Sequence, residues 1–205
     1  DSDTMIWSKI SQASRCAIVP IPFFCIATKG KINTILSPED LVQCDSTNHG
    51  CNGGNLEYAW IHTYLFGVVE DSCKSYKSGD GKTRKCEKSC DDKTQEYKKY
   101  HNTFPRNPKT IEAIKREIME NGPVETGFEV YSDFMTYKSG IYVQHSGKLE
   151  GGHAVKIIGW GVENGIEFWI CANSWTTNWG ENGFFRIKMD QCGISSQVIA
   201  GLPKL

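Results

Sequence analysis

The chain has 205 residues, a formal net charge of −1 and a pI near 6.6. This balance gives no electrostatic reason to expect a nucleic acid or an anionic membrane as a partner, so a ligand must be recognised locally. A hydrophobic content of 39% with 11% aromatic residues indicates a globular protein with one sizeable core or two modest domains. No apolar run reaches the roughly 18 residues that a membrane span needs, and no signal peptide opens the sequence.

The cysteines indicate the compartment. Nine cysteines, several at short spacings, fit an oxidising environment better than the cytosol, so we expect a lysosomal or secreted protein. Spacing alone leaves two interpretations open. The cysteines could form disulfides, or Cys86 and Cys90 could bind zinc together with Cys44 and Cys51.

The segment before residue 33 is the least regular part of the chain. It contains Pro20 and Pro22, which leave little room for a regular helix between residues 19 and 25. Regular structure is predicted from Ser37 onwards. There a Ser-Pro-Glu-Asp sequence supplies a helix N-cap, a proline for the first turn and two acids that favour a helix N-terminus.

A glycine-rich turn, a second helix and a long loop follow. Gly53 and Gly54 end a Gly-Cys-Asn-Gly-Gly sequence, which could form a tight turn or leave backbone open for an extended peptide. Residues 56–66 are predicted to form a helix that ends at Gly67. Residues 73–100 are predicted to be a solvated, disulfide-tied loop, since acidic residues lie among its lysines.

The second half changes character near residues 105–108, so we expect a mostly helical domain over 1–104 and a second domain over 105–205. A helix capped by Thr110 and ended by Gly122 is predicted first. Five strand-like runs follow, at residues 124–130, 141–144, 153–160, 167–172 and 183–188. Helices first and strands afterwards indicate an α+β fold with segregated halves.

His153 and Asn173 are the candidate catalytic residues. Each adjoins an apolar, strand-like run that would hold its side chain on a rigid sheet. An imidazole of near-neutral pKa can accept a thiol proton and later protonate an amine leaving group. An Asn oxygen that accepts the other ring N–H would fix the tautomer, as in Cys-His-Asn hydrolases. A histidine beside two glycines is more often an ordinary turn or strand residue, but the Asn and the nearby tryptophans favour the catalytic interpretation.

From about residue 33 to 203 the chain resembles the papain family of cysteine peptidases, and its cathepsin B branch in particular. The matching stretches are Asn-Gly-Pro-Val-Glu at 121–125, Val-Tyr-Ser-Asp-Phe at 130–134, Tyr-Lys-Ser-Gly-Ile-Tyr at 137–142, Gly-Gly-His-Ala at 151–154, Asn-Ser-Trp at 173–175, Trp-Gly-Glu-Asn-Gly-Phe-Phe at 179–185 and Cys-Gly-Ile at 192–194. The resemblance implies a papain-like fold with a helical left domain, a β-barrel-like right domain and a cleft between them.

The resemblance also implies roles for individual residues. Gly53 and Gly54 would line the wall along which an extended substrate binds, Trp175 would shield the His153–Asn173 hydrogen bond from water, and Trp179 would pack near the primed side of the cleft. Gln197 stands where cathepsin B has a Glu at the base of the S2 pocket, which argues against a preference for Arg at P2. The implied disulfides, which we favour over zinc, are Cys16–Cys51, Cys44–Cys86 and Cys73–Cys90.

The resemblance fails at the nucleophile. The family has a Gln followed by Cys-Gly-Ser-Cys-Trp, whose second Cys starts a helix that lowers its pKa. Aligning Cys16 with the first Cys puts Val19 at the nucleophile position and Pro20 at the Trp, with Gln12 one place too early for the oxyanion hole. Cys16 is the only nearby thiol, and the cysteine pairing favours a structural role for it. We therefore expect the chain as written to be inactive.

Three functions stay open on these grounds. The chain could be a thiol peptidase that uses Cys16, a non-catalytic relative that binds peptides or inhibitors, or an ordinary active enzyme whose residues 10–25 are a gene-model artefact. In cathepsin B, which the chain resembles, a long loop in this region carries two histidines that bind a substrate's C-terminal carboxylate. Here only twelve residues separate Cys73 from Cys86 and none is His, so the resemblance implies an endopeptidase rather than a carboxydipeptidase. No cofactor or metal is expected. The expected partners are a peptide or protein substrate, a propeptide and cystatin-like inhibitors.

Overall fold

The computed structural model describes residues 34–204. The chain forms two compact units: one ends at Arg106 and also takes in Gly201–Leu205, and the other is Asn107–Ala200. Within residues 34–204, none of the helices has the length and apolar character needed to cross a membrane.

Two helices of the first unit form where the sequence predicts them. Helix α1 is Pro38–Cys44, and the Ser37 hydroxyl caps it by accepting the backbone N–H of Asp40 at 3.0 Å. Helix α2 is Leu56–Phe66, and it ends at Gly67, whose φ of +71° suits glycine. Both predictions are confirmed.

The loop after α2 is tied to α1 by disulfides. Cys44 bonds to Cys86, and Cys73 bonds to Cys90. Both pairs agree with the predicted ones, and the oxidised sulfurs exclude the zinc interpretation for these four residues. Cys51 also belongs to a disulfide, and the pairing predicted for it involves Cys16, which lies outside the described residues.

Buried carboxylates of α1 hold the same loop in place. Asp40 is fully buried and forms ion pairs with Lys74 at 2.9 Å and with Lys99 at 2.5 Å. Burial alone would raise the pKa of Asp40, but the two ammonium groups outweigh it and hold that pKa below its ordinary value. Glu39, also fully buried, accepts the backbone N–H groups of Lys77 and Ser78. The loop is therefore anchored by charge and hydrogen bonds as well as by sulfur.

The second unit is one helix on a six-stranded sheet. Helix α3 is Ile111–Asn121, capped by the Thr110 hydroxyl, which accepts the backbone N–H of Ala113 at 3.1 Å. The strands are β1 Val124–Tyr131, β2 Ile141–Tyr142, β3 Leu149–Glu163, β4 Ile166–Ala172, β5 Phe184–Lys188 and β6 Gln197–Ile199. Their order is β2-β5-β4-β3-β1-β6, and β2–β5 is the parallel pair in an otherwise antiparallel sheet.

This topology confirms the α+β, papain-like class and corrects one detail. In the described chain the sheet is open, with β2 and β6 at its edges, rather than barrel-like. Strand β3 is also longer than predicted, because its first part pairs with β1 and its later part pairs with β4 across an irregularity near Gly159. The short edge strand β6 was missed, since three residues carry little periodic signal.

Candidate active site

His153 and Asn173 lie side by side in the second unit. His153 is on β3, opposite Phe128 of β1, and Asn173 directly follows β4. The His153 Nε2 and Asn173 Oδ1 atoms are 2.8 Å apart, and the backbone N–H of Ser174 donates to the same oxygen at 2.8 Å. Because an amide oxygen only accepts, Nε2 carries the hydrogen, and Nδ1 is left as the basic nitrogen.

The imidazole is shielded from solvent. His153 is 9% exposed, and burial lowers its pKa to about 4, although the bond to Asn173 opposes this shift. The ring is therefore neutral at neutral pH. A neutral imidazole can accept a proton, whereas an imidazolium is what would stabilise an adjacent thiolate.

Two tryptophans cover this pair. The Trp175 ring stacks on the His153 ring at 4.9 Å between centroids, with the planes 25° apart. Trp179 meets Trp175 edge to face at 5.0 Å, and its indole N–H donates to the carbonyl oxygen of Met135 at 3.1 Å. Trp175 therefore covers one face of the imidazole ring.

Phe134 organises the aromatic residues around the site, a role that sequence analysis missed. It is fully buried in the 3₁₀ turn Phe134–Thr136. Its ring contacts Phe128 at 5.2 Å and Trp175 at 5.6 Å, and each of these rings contacts His153. The only signal in the sequence was its place in the Val-Tyr-Ser-Asp-Phe stretch, which indicates membership of a motif and no contacts.

Three buried polar atoms of consecutive residues have no hydrogen-bond partner within residues 34–204. They are the Asn173 Nδ2, the Ser174 hydroxyl and the Trp175 indole N–H. Most buried polar groups in folded proteins have a partner, so these three exceptions set the segment that follows β4 apart from ordinary core packing.

The two free thiols of the described chain are poor nucleophiles. Cys171 lies on β4, fully buried, and burial raises its pKa well above the ordinary value. Cys192 is half-buried, and burial, with Asp133 and Glu129 nearby, raises its pKa to about 11. Neither is a thiolate at neutral pH, and the thiolate is the reactive form.

The remaining predicted site residues belong to either unit or lie outside the described residues. Gly53 and Gly54 belong to the first unit, where a Cβ on Gly54 would lie 2.3 Å from the Asn48 side-chain oxygen. This close contact explains Gly54 without a substrate. Gln197 is exposed at the start of β6. The nucleophile position Val19, the thiol candidate Cys16 and the misplaced Gln12 lie outside the described residues.

Comparison with known proteins identifies the family. Residues 21–202 match the family described as papain family cysteine protease. The chain belongs to the papain family of cysteine proteases. The match spans most of the chain and includes the stretch that carries His153 and Asn173.

The relatives of this papain-family chain include cathepsin B-like proteinases. It is 43% identical over 213 residues to cathepsin B-like cysteine proteinase 6 of Caenorhabditis elegans, covering 88% of this chain and 56% of that protein. It is 44% identical over 203 residues to the gut-specific cysteine proteinase of the same organism, covering 88% and 62%. The chain therefore spans little more than half of the length of these curated relatives.

Solved structures agree with this placement. Procathepsin B S9 from Trypanosoma congolense superposes with a TM-score of 0.83 at 32% identity, covering 95% of this chain and 68% of that one. The proform of the ragweed pollen allergen Amb a 11, a cysteine protease, superposes with a TM-score of 0.73 at 27% identity, covering 88% and 56%. By homology the chain is placed with the cathepsin B-like members of the papain family.

Proposed function

We propose that this chain, as written, is a non-catalytic member of the cathepsin B-like peptidases that binds peptides without cleaving them. In the proposal His153 is the retained base and acid, Asn173 is its orienting partner, and position 19 carries Val in place of the nucleophile. Two observations carry the proposal: the 2.8 Å His153–Asn173 bond supports a retained family site, and Val at position 19 supports the loss of cleavage.

The electrostatics of the site support inactivity. Cysteine proteases of this chemistry rely on a thiolate stabilised by an imidazolium. Burial of His153 disfavours the imidazolium, and the free thiols of the described residues, Cys171 and Cys192, have raised pKa values. Loss of the nucleophile alone removes nearly all of the acceleration in such a catalytic unit.

The finer specificity is part of the same proposal. The short Cys73–Cys86 loop has no histidine to bind a substrate's C-terminal carboxylate, so any cleavage would be internal. Gly53 and Gly54 would line an extended peptide, Trp179 would lie near its primed side, and Gln197 would favour an apolar or mixed P2 residue. The disulfides fit a lysosomal or secreted protein. The proforms among its structural relatives make a propeptide a candidate partner, and cystatin-like inhibitors are proposed alongside it.

The alternatives are a peptidase that uses Cys16, or an active enzyme whose natural residues 10–25 differ from those written. The test is peptide-level mass spectrometry of the protein isolated from its source, after treatment with a peptidyl epoxide that alkylates papain-family nucleophiles. We expect residues 10–25 as written, an unlabelled chain and a Cys16–Cys51 bridge. Label on Cys16, or on a Cys in a different sequence at 10–25, would make the protein an active protease.

A second measurement separates binding from catalysis. A peptide aldehyde carrying an apolar P2 residue should bind the chain reversibly and through non-covalent contacts alone, while a fluorogenic peptide is not turned over. A Val19→Cys change by itself should not restore full activity, because the prolines at 20 and 22 and the shift of Gln12 remain. Turnover by that variant at the rate of an ordinary family member would contradict the proposal.

A further inference from the structure

Helix α2 has an apolar exposed face. Its exposed residues are Glu57, Tyr58, Leu65 and Phe66, of which Leu65 is 55% and Phe66 is 61% exposed. Its inward side is also largely apolar, with Leu56 and Trp60 buried. A surface helix that is apolar on both sides lacks the polar face that solvent favours, and this pattern marks an interaction surface.

The apolar surface continues beyond the helix. Phe104 is 62% exposed, and its ring meets the Tyr64 ring edge to face at 5.6 Å between centroids. Phe104 is thereby held beside the C-terminal end of α2. We define the docking surface as Tyr64, Leu65, Phe66 and Phe104 together with the adjoining cavity described next.

A basic cavity of about 360 Å³ adjoins this end of the helix. Tyr64 and Leu65 form part of its wall, and no acidic residue lines it among the residues described. The rest of the wall is cationic or aromatic, and consists of Lys98, Lys99, Tyr100, His101 and Lys204. The cavity therefore offers a positive recess at the edge of an apolar strip.

The positive charges of this cavity are not neutralised by carboxylates of its own wall. Lys99 is paired with the buried Asp40, but Lys98 and Lys204 have no ion-pair partner within residues 34–204. The Lys98 ammonium lies over the Tyr100 ring at 5.0 Å from its centroid. The neighbouring carboxylate, Glu70, accepts the Tyr100 hydroxyl, which lowers the Glu70 pKa, and Lys98 adds a smaller attraction in the same direction. Because neither Lys98 nor Lys204 forms a direct ion pair within residues 34–204, both ammonium groups can bind a ligand's carboxylates.

Hydrogen bonds tie the wall of the cavity to the end of α2 and to the backbone of Lys204. His101 donates from Nδ1 to the Tyr64 carbonyl oxygen at 3.2 Å, and the Lys204 backbone N–H donates to the His101 carbonyl at 2.8 Å. Lys99 also donates to the Gly67 carbonyl at 3.3 Å. Preorganised side chains reduce the entropy lost on binding.

We propose that this docking surface binds an acidic, amphipathic peptide segment of a protein partner. Apolar side chains of the segment lie on Leu65, Phe66 and Phe104, and a carboxylate enters the cavity between Lys98 and Lys204. Aromatic and basic residues are typical anchors at protein interfaces, and charge complementarity sets the register. A membrane fits less well, because the cations line a concave recess and the chain's net charge is −1.

The test uses a synthetic amphipathic peptide, acetylated and amidated, with Leu and Phe on one helical face and Glu on the other. Its affinity for the full chain is measured by fluorescence anisotropy, beside a peptide in which every Glu is Lys. We expect the acidic peptide to bind in preference to the basic one. The double variant Lys98→Glu, Lys204→Glu should weaken binding about tenfold or more, and Phe66→Ser about tenfold.

Matched controls lie in the other unit. Lys148 is exposed and Val162 is 64% exposed, so Lys148→Glu and Val162→Ser make the same chemical changes away from the docking surface and should leave the affinity unchanged. Equal affinity for both peptides, or no binding, overturns the proposal. So does an affinity that the variants at 66, 98 and 204 leave unchanged. Concentration-dependent dimerisation lost in Phe66→Ser would assign the surface to a second copy instead. Variant-sensitive binding to vesicles of phosphatidylserine, without peptide binding, would assign it to a membrane.

Discussion

Trp175 lies flat against His153, with ring centroids 4.9 Å apart and ring planes 25° apart. The stacking covers one face of an imidazole whose hydrogen-bond partner among residues 34–204 is Asn173. Burial without a counter-charge is the condition under which a histidine resists protonation. Several expected properties of this chain depend on that relationship.

Stability should fall with acidification because of His153. The pKa of His153 is about 4 in the native chain and 6.5 in the unfolded chain. Between these two pH values the unfolded chain binds a proton at His153 and the native chain does not. Protonation therefore favours unfolding in this window, and we expect His153 to remove about 3 kcal/mol of unfolding free energy between pH 7 and pH 4. Urea denaturation of the wild type and of His153→Gln across this range measures the difference.

The control for this experiment is His145, which is exposed. His145→Gln should follow the wild-type pH profile, whereas His153→Gln should have a shallower one. His62, whose pKa burial also lowers, contributes a slope of the same sign and is present in all three proteins. Parallel profiles for wild type and His153→Gln would show that the ring is not protected in the folded protein.

Phe134 should influence the pKa of His153 indirectly, through the rings of Phe128 and Trp175. The change Phe134→Leu removes the ring that contacts both Phe128 and Trp175, so water should reach the imidazole. We expect the His153 pKa, followed by NMR, to rise by about one unit towards 6.5. Phe168→Leu is the matched control, because Phe168 is also buried but its ring packs on the Arg186 guanidinium. Equal His153 titrations in the two variants would refute this role.

The free energy of unfolding should depend strongly on Asp40. The Lys74 side chain is 3% exposed, and the change Asp40→Ala removes the carboxylate that pairs with its ammonium group. Removing one member of such a pair costs about 3 to 5 kcal/mol. Asp91→Ala breaks the exposed Lys77–Asp91 pair and should cost less than about 1 kcal/mol. Urea midpoints compare the two variants, and similar losses would mean that burial of Asp40 is not decisive.

The two disulfides should differ in what they contribute. Cys73 and Cys90 are 17 residues apart, and Cys44 and Cys86 are 42 apart. On the chain-entropy account, replacing both cysteines by serine should cost about 3 kcal/mol for the shorter loop and about 4 kcal/mol for the longer one. Thermal unfolding of the two double variants tests the order, and a reversed order would indicate that structure in the unfolded chain outweighs loop length.

Local patterns in the sequence were sufficient for the elements with strong end signals. Ser37, Thr110 and the glycines at 67 and 122 marked helix ends because capping depends on one or two residues and the adjacent backbone. The His-Asn pair was predicted because its chemistry demands those two residue types beside strands. The pairs Cys44–Cys86 and Cys73–Cys90 came from family resemblance, since spacing alone left zinc open.

Only the tertiary structure decided the features that depend on contacts between distant segments. The length of β3 follows from having two partners, β1 and β4, and its glycines obscured the alternation that would have revealed it. The role of Phe134 arises from ring contacts with Phe128, six residues earlier, and with Trp175, which belongs to a distant segment. The buried Asp40 is paired with lysines that a later loop supplies. Burial sets the pKa of His153, and burial is a property of the packed chain. Residue types and spacing therefore determined which functional groups the chain carries. Packing decided how far those groups are buried and, through burial and neighbouring charges, what their pKa values are.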